Sequence, residues 1–546
     1  MRKQDYIKIA NARDPRLRRK KDRILYRFLE IVPGALAWLT LVTIVVLSWL
    51  APIGIAIFII IFDLYWLFKT LFLSVHLRVA YKKVQQHLAI DWLAKLSDLN
   101  YIDPRVKPED DKRPENDKSK EFRNNKWEFE HVEVKLDWRQ VYHLIILPFA
   151  KEGLEVVQPT LQAIADSQYP HSKMIIVLAA EARIGQSARD IASQMQKEFG
   201  SKFFQFLITF HPADLVGEII GKGSNQTWAG KQAKKLIDEL KIPYENIVVS
   251  ALDIDTRILP HYFGCLAYHF VTAQDPWRSS YQPIPFYNNN IWQTPCFSRV
   301  VAASGTFWQM MQQERPERLA TFSSHSMPFK AVIEENYWNW NIVSEDSRIF
   351  WQSLLFYDGN YQTVPLYYPV SLDACYGGSW WRTIINQYKQ QRRWGWGVEN
   401  IPYVIFGFLN NKKIPLFKKI RYTFNHLEGF WSWSTNALII FLLGWLPLFL
   451  GGDKFNVTLL SYNLPRLTRW IMTLSMVGIF GSAIYNIMIL PAKPQNLGRW
   501  RYGIMFLQWI LMPVTIMVFG CFPGLDAQTR LILGKYMGFW NTDKPR

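Results

Sequence analysis

Residues 246–260 read NIVVSALDIDTRILP. An apolar run, Ile247-Val248-Val249, leads to Asp253 and Asp255, one residue apart, and Pro260 closes the stretch. Side chains at i and i+2 of a strand share a side. Two carboxylates so placed repel each other unless a cation sits between them or one holds a proton. Hard divalent cations such as Mg²⁺ take oxygen ligands and keep substrate phosphates among them. A solvated turn is the commoner origin of an Asp-x-Asp pattern standing alone, so the choice rests on the surrounding chain.

Working outward, short apolar runs alternate with helical spacing. VYHLIILPFA (141–150), SKMIIVLAA (172–180) and FFQFLITF (203–210) read as buried strands, with NIVVSALDID as a fourth. LEVVQPTLQAIADSQ (154–168), ARDIASQMQKEF (188–199) and WAGKQAKKLIDEL (228–240) read as the helices between them. This alternation predicts an α/β domain with a Rossmann-like, mostly parallel sheet. Such sheets bind ligands beyond the carboxyl ends of their strands. Asp253 and Asp255 fall at such an end, as do Pro148 to Glu152 and Glu181.

The charge is clustered. Of a formal +18, residues 1–28 contribute +8 and residues 379–422 another +8, and each cluster precedes a strongly apolar segment. That is the positive-inside pattern of a multi-pass protein of the cell membrane with its polar domain in the cytoplasm. No nucleic-acid module carries the charge, so no nucleic-acid partner is expected. The four cysteines form no C-x-x-C pair and suggest neither a zinc site nor a disulfide framework. The expected organisation is a basic leader (1–31), two transmembrane helices breaking near Pro52 (32–75), and a linker (76–139) with a polar, mobile segment at 103–126. The α/β domain (140–400), interfacial helices (401–433), two or three further spans (434–521) and an amphipathic C-terminal helix with a tail (522–546) follow. Asp63 falls in a span and is given no role.

Further motifs follow the aspartates: Gln293-Thr294-Pro295 in an aromatic loop, Ser344-Glu345-Asp346, and Gln390-x-x-Arg393-Trp394. Each has an ordinary explanation alone, a helix N-terminal acidic pair or a solvated basic face. In this order they resemble the signature of family 2 glycosyltransferases, in particular the membrane-embedded branch with cellulose synthase and hyaluronan synthase. That signature is Asp-x-Asp, Thr-Glu-Asp and Gln-x-x-Arg-Trp; here serine replaces the threonine. Glu152 in PFAKE matches a family glutamate, Lys222 and Asn225 in KGSNQTWA match its lysine and asparagine, and the Gln293 motif is similar to one in bacterial cellulose synthase. The family's Asp-Asp-Gly after the second strand is absent, and Glu181 is the nearest carboxylate that could contact the nucleoside.

The resemblance implies a GT-A-type domain and an inverting transfer from a nucleotide-sugar, a UDP-sugar by preference, to a growing polysaccharide, with export as a possible coupling. Transfer to a lipid or lipid-linked acceptor is the alternative, and a non-catalytic nucleotide-sugar sensor a more distant one. It implies Mg²⁺ or Mn²⁺ held by Asp253 and Asp255. Asp346 is implied as the base with Glu345 beside it. Glu152, Glu181, Lys222, Asn225, Asp253, Gln390 and Arg393 would hold the donor, and Trp394 and Gln293 the acceptor, with membrane lipids around the spans. The C-terminal GFWNTDK (538–544) is similar to a cellulose synthase gating motif, which would make Phe539, Thr542 and Lys544 gating residues and requires the tail on the cytoplasmic side. A helix broken at Pro513 that enters and leaves on one face would satisfy that requirement; three full spans would not.

Overall fold

The computed structural model describes residues 6–99, 134 and 136–538. The polar segment 103–126 and the tail with Phe539, Thr542 and Lys544 lie outside the described residues.

Eight strands form one sheet: β1 Tyr142–Phe149, β2 Met174–Glu181, β3 Gln205–His211, β4 Ile247–Ala251, β5 Arg257–Ile258, β6 Ser279–Tyr287, β7 His325–Pro328 and β8 Gln362–Leu372. Their order is β3-β2-β1-β4-β7-β6-β8-β5. The first four strands pair in parallel, and β6 runs parallel to β8, whereas β7 is antiparallel to both β4 and β6, and β5 to β8. The α/β expectation therefore holds, and the sheet is mixed in its second half.

Both faces are covered, which is why β1 and β2 are near-continuous apolar runs. On one face Ile145, Leu147 and Phe149 pack with Val156, Leu161 and Met195; on the other Leu144 and Ile146 meet Ala229, Ala233 and Ile237. β4 stops at Ala251, so Asp253 and Asp255 are in a turn beyond it, closed by Thr256 N–H donating to the Asp253 carbonyl at 2.8 Å.

Around this domain lie long helices. Lys20–Leu50, Pro52–Leu88 and the run Trp500–Ile532 are long and apolar enough to cross a membrane, and Leu416–Phe441 with Leu443–Leu450 forms a pair bent by 46°. The first break falls at Ala51-Pro52, as the sequence suggests. Around Pro513 the run Trp500–Ile532 includes a 3₁₀ turn (Gln508–Leu511) and a π turn (Met517–Cys521), and the sharp bend among the long helices is at Leu442. Asp526 to Ile532 is not an isolated surface helix. Within the helix Phe522–Ile532, Leu525, Ala527, Gln528 and Leu531 are buried. The basic leader packs into the fold. Tyr6, Ile7, Ile9 and Leu17 are buried in a cluster with Phe350, Leu354 and Tyr403. Asp63 is buried and accepts from Thr468 Oγ1 at 3.1 Å.

Candidate active site

A cleft open to solvent lies at the carboxyl ends of the parallel strands. Its walls bring together Glu152, Glu181, Lys222, Asn225, Asp253, Asp255, Glu345, Asp346, Gln390, Arg393 and Trp394. Gln293 is not among them: its side chain is exposed, while Thr294 beside it is buried. Gln293 N–H donates to the Asn290 carbonyl at 3.0 Å in the turn before Thr294.

Each wall has a local cause. The helix Lys222–Glu239 begins at the cleft, and Asn225 one turn on donates to the Ala179 carbonyl of β2 at 2.8 Å. Gly223 permits close approach of this helix to Glu345: a Cβ there would lie 2.9 Å from the Asn339 carbonyl and 3.2 Å from Glu345 Cβ. The helix Glu345–Phe356 opens with the acidic pair at its positive end. Glu399 clamps that opening by accepting from Ser344 N–H (3.1 Å), Ser344 Oγ (2.6 Å) and Trp396 Nε1 (2.8 Å). The helix Trp380–Gly395 carries Gln390, Arg393 and Trp394 on one turn.

At the centre Lys222 Nζ lies 2.5 Å from Asp253 Oδ1 and 2.9 Å from both oxygens of Asp346. Burial alone would lower the Lys222 pKa, but Asp253, Asp346 and Glu345 outweigh it and hold the ammonium charged. Burial, reinforced by the Asp346 charge, pushes Glu345 up to about 8, against the pull of Lys222 and Arg393. Asp255 is buried and its Oδ2 accepts from the Asp373 N–H at 3.0 Å.

Several neighbours were not evident from sequence. Ser323 Oγ donates to Asp253 Oδ2, and Thr321 Oγ1 to the Asp346 carbonyl at 2.6 Å. His325 Nδ1 lies 3.6 Å from Asp346 Oδ1. Burial pushes the His325 pKa down to about 4, and its Nε2 accepts from Trp338 Nε1 at 3.4 Å, so the neutral ring carries its proton on Nδ1 and donates it to the Phe322 carbonyl at 3.1 Å. The serine-rich run TFSSHS (321–326) is the only local signal the sequence carries for them. Tyr287 and Phe322 flank Trp394 with ring centroids at 5.6 and 5.9 Å, making an aromatic wall. At the other end Glu181 pairs with Arg183, beside a smaller hollow lined by His211 and Glu218.

The arrangement can hold an anionic, cation-bound ligand against a carboxylate base and an aromatic face. Among curated proteins no sequence matches the chain. Among solved structures it is similar to the mannosyltransferase PcManGT from Pyrobaculum calidifontis in complex with GDP-Man and Mn²⁺, at 12% identity and TM-score 0.38, covering 79% of this chain and 99% of that one. It is also similar to S. aureus TarS 1-349, at 12% identity and TM-score 0.33, covering 63% of this chain and 90% of that one. The same TarS fragment with UDP-GlcNAc gives 11% identity and TM-score 0.34 over the same shares. The model of glycosyl transferase family group 2 matches residues 248–523, just over half of the chain. This chain therefore belongs to glycosyl transferase family group 2, and its α/β domain of GT-A type is flanked by apolar helices.

Proposed function

We propose that the chain is a membrane-integrated, inverting glycosyltransferase of the cellulose synthase and hyaluronan synthase branch, extending a polysaccharide from a UDP-sugar. The observation that carries the reading is the single cleft that collects Asp253, Asp255, Asp346, Arg393 and Trp394 from distant segments.

Seven carboxylates line that cleft against two cationic side chains, Lys222 and Arg393. A nucleotide diphosphate adds negative charge, so the site needs a further cation to accept it. Asp253 and Asp255 are the oxygen pair that suits Mg²⁺ or Mn²⁺. When bound, such an ion neutralises charge on the departing diphosphate and orients it. Lys222, already seated between Asp253 and Asp346, and the Arg393 guanidinium supply the protein's own positive charge to the phosphates. Glu152, Asn225 and Glu181 line the side where the nucleoside would lie. Asp346 takes the proton of the acceptor hydroxyl as its oxygen bonds to the anomeric carbon. The bond to the diphosphate breaks on the opposite side, and its electron pair leaves with the diphosphate. Trp394, with Tyr287 and Phe322, offers a flat apolar face to the acceptor sugar.

Membrane integration is supported by the apolar side chains the long helices leave exposed, among them Leu39, Trp49 and Phe68, each about two-thirds accessible. A cytoplasmic catalytic domain is supported by the two basic clusters. The test is to incubate the full chain in nanodiscs with a panel of nucleotide-sugars and Mg²⁺ or Mn²⁺, reading nucleotide release and product size. Release with a long product supports the reading. A short lipid-linked product moves the acceptor to a lipid, and no release with any donor overturns the proposal.

A further inference from the structure

Three ligand-type side chains lie together away from the cleft. His87, at the end of the helix Pro52–Leu88, meets Cys265 and His269 of the helix Tyr262–Thr272, and one ligand atom from each lies within 4.8 Å of the other two. Among the described residues no other group of three such side chains is this close. Cys265 and His269 are spaced i, i+4 and so share one helix face. The Leu366 carbonyl of β8 meets both helices, lying 2.8 Å from His87 Nδ1 and 3.8 Å from Cys265 Sγ. Backbone carbonyls of this kind orient metal-bound imidazoles. His269 Nε2 is buried and has no hydrogen-bond partner among the described residues, an omission that buried polar atoms rarely show.

We infer that His87, Cys265 and His269 form a second metal site, for a borderline-soft divalent ion such as Zn²⁺. One thiolate and two imidazoles are the donors such an ion selects, and the hard cation of a carboxylate site is not. Three protein ligands leave a fourth position for water. Binding forms a metal–sulfur bond and releases the Cys265 thiol proton to solvent. Lys95 is a cationic neighbour, with its Nζ over the faces of Trp92 and Tyr268 at 5.0 and 4.6 Å; the new thiolate offsets its charge. The ion would tie the long helix Pro52–Leu88 to the catalytic domain through one ligand from the first and two from the second. The lack of a C-x-x-C pair hides this site in the sequence, because its ligands converge only in the fold.

The site is independent of sugar transfer and is tested without it. The full chain in detergent, stripped with chelator, is titrated with Co²⁺ as a spectroscopic probe and with Zn²⁺ by metal analysis. One equivalent with a thiolate-to-cobalt charge-transfer band is expected. Cys265→Ser should lose the band, and His269→Gln or His87→Gln should weaken binding at least tenfold. Asp255→Asn should keep the band, which separates this site from the carboxylate pair. Absence of the band in the unmodified chain overturns the proposal whatever the variants do, and so does its survival in Cys265→Ser.

Discussion

Arg348→Met tests how the helix that carries Asp346 is held. Arg348 is fully buried two residues beyond Asp346. Its Nη1 donates to the Ile9 carbonyl at 3.0 Å, its Nη2 to the Glu399 carbonyl at 3.2 Å, and its Nε to Asn400 Oδ1, with the guanidinium 3.9 Å from the centroid of the Tyr403 ring. One side chain thus joins the N-terminal segment, the Glu345 helix and the segment after Arg393. Methionine fills much of the volume and leaves three acceptors unserved. Each buried acceptor left without its donor costs about 1–3 kcal/mol, so losing three costs several kcal/mol. At about 2–4 °C per kcal/mol, the melting temperature should fall by roughly 10 °C. A shift of about 1 Å at Asp346 would cost turnover on the order of 10²-fold even where the fold survives. Arg348→Lys should not rescue, because an ammonium lacks the planar fork that reaches three acceptors. Differential scanning fluorimetry in detergent and nucleotide release on the same samples read both effects. A variant that melts within about 2 °C of the unmodified chain and turns over normally would refute the reasoning.

Three further outcomes are expected. Asp255→Asn should lose most turnover with the fold intact, and excess chelator should do the same to the unmodified chain; full activity in chelator would remove the cation from the proposed function. Asp346→Asn should abolish transfer while nucleotide diphosphate affinity, read by calorimetry, stays within a few-fold, because this carboxylate is assigned to the acceptor. The third concerns pH. Glu345 holds its proton up to about 8 in the fold, against an ordinary value of 4.5. Between those values the unfolded chain ionises this group and the folded chain does not, so stability should fall as pH rises through the window and level off above it. Glu345→Gln should flatten that slope in melting curves taken from pH 5 to 9, and an unchanged slope would reassign it to another group.

The parallel half of the sheet was legible because strands buried on both faces are continuous apolar runs, as in Leu144 to Leu147 and Ile175 to Leu178. The rule that ligands sit past the carboxyl ends of such strands points to Asp253, Glu152 and Glu181. The second half was less legible. β7 is four residues, HSMP, with a proline and two polar side chains buried in the sheet, where Ser326 bonds Ser250 at 2.7 Å. Nothing in a local window marks such a strand. The burial of the leader was hidden for a related reason. Lys8 and Asp14 look like a solvated basic arm, yet Lys8 Nζ donates to the Tyr337 carbonyl at 2.7 Å and Gln352 Oε1 at 3.1 Å, contacts more than 300 residues away. A polar residue whose partner is that distant carries no local signal of its burial. Gln293 is a different case, since a short motif fixes residue types but not which of them line a cleft: its side chain is exposed and off the cleft wall.

The Trp380–Gly395 helix shows why the site and the long helices belong to one architecture. Arg393 and Trp394 line the cleft, while Arg392, one residue earlier and therefore about 100° around the helix, turns to the C-terminal helix Phe522–Ile532. There its Nη1 pairs with Asp526 at 3.0 Å. Gly395 lets the two helices meet: a Cβ at that position would lie 3.3 Å from Gly524 Cα. The C-terminal helix is in turn fixed to the first long helix, where Arg27 Nη1 donates to the Leu531 carbonyl at 2.8 Å and Trp38 Nε1 to Thr529 Oγ1 at 2.8 Å. A chain of direct contacts therefore runs from Lys20–Leu50 through Phe522–Ile532 to the turn that bears Arg393. A displacement of the C-terminal helix must move that turn, because the close glycine contact and the ion pair leave little slack between them. It follows that the α/β domain excised at 140–400 would lack the surface that positions Arg393, and would also lose Trp92 and Leu96 from one of its apolar cores.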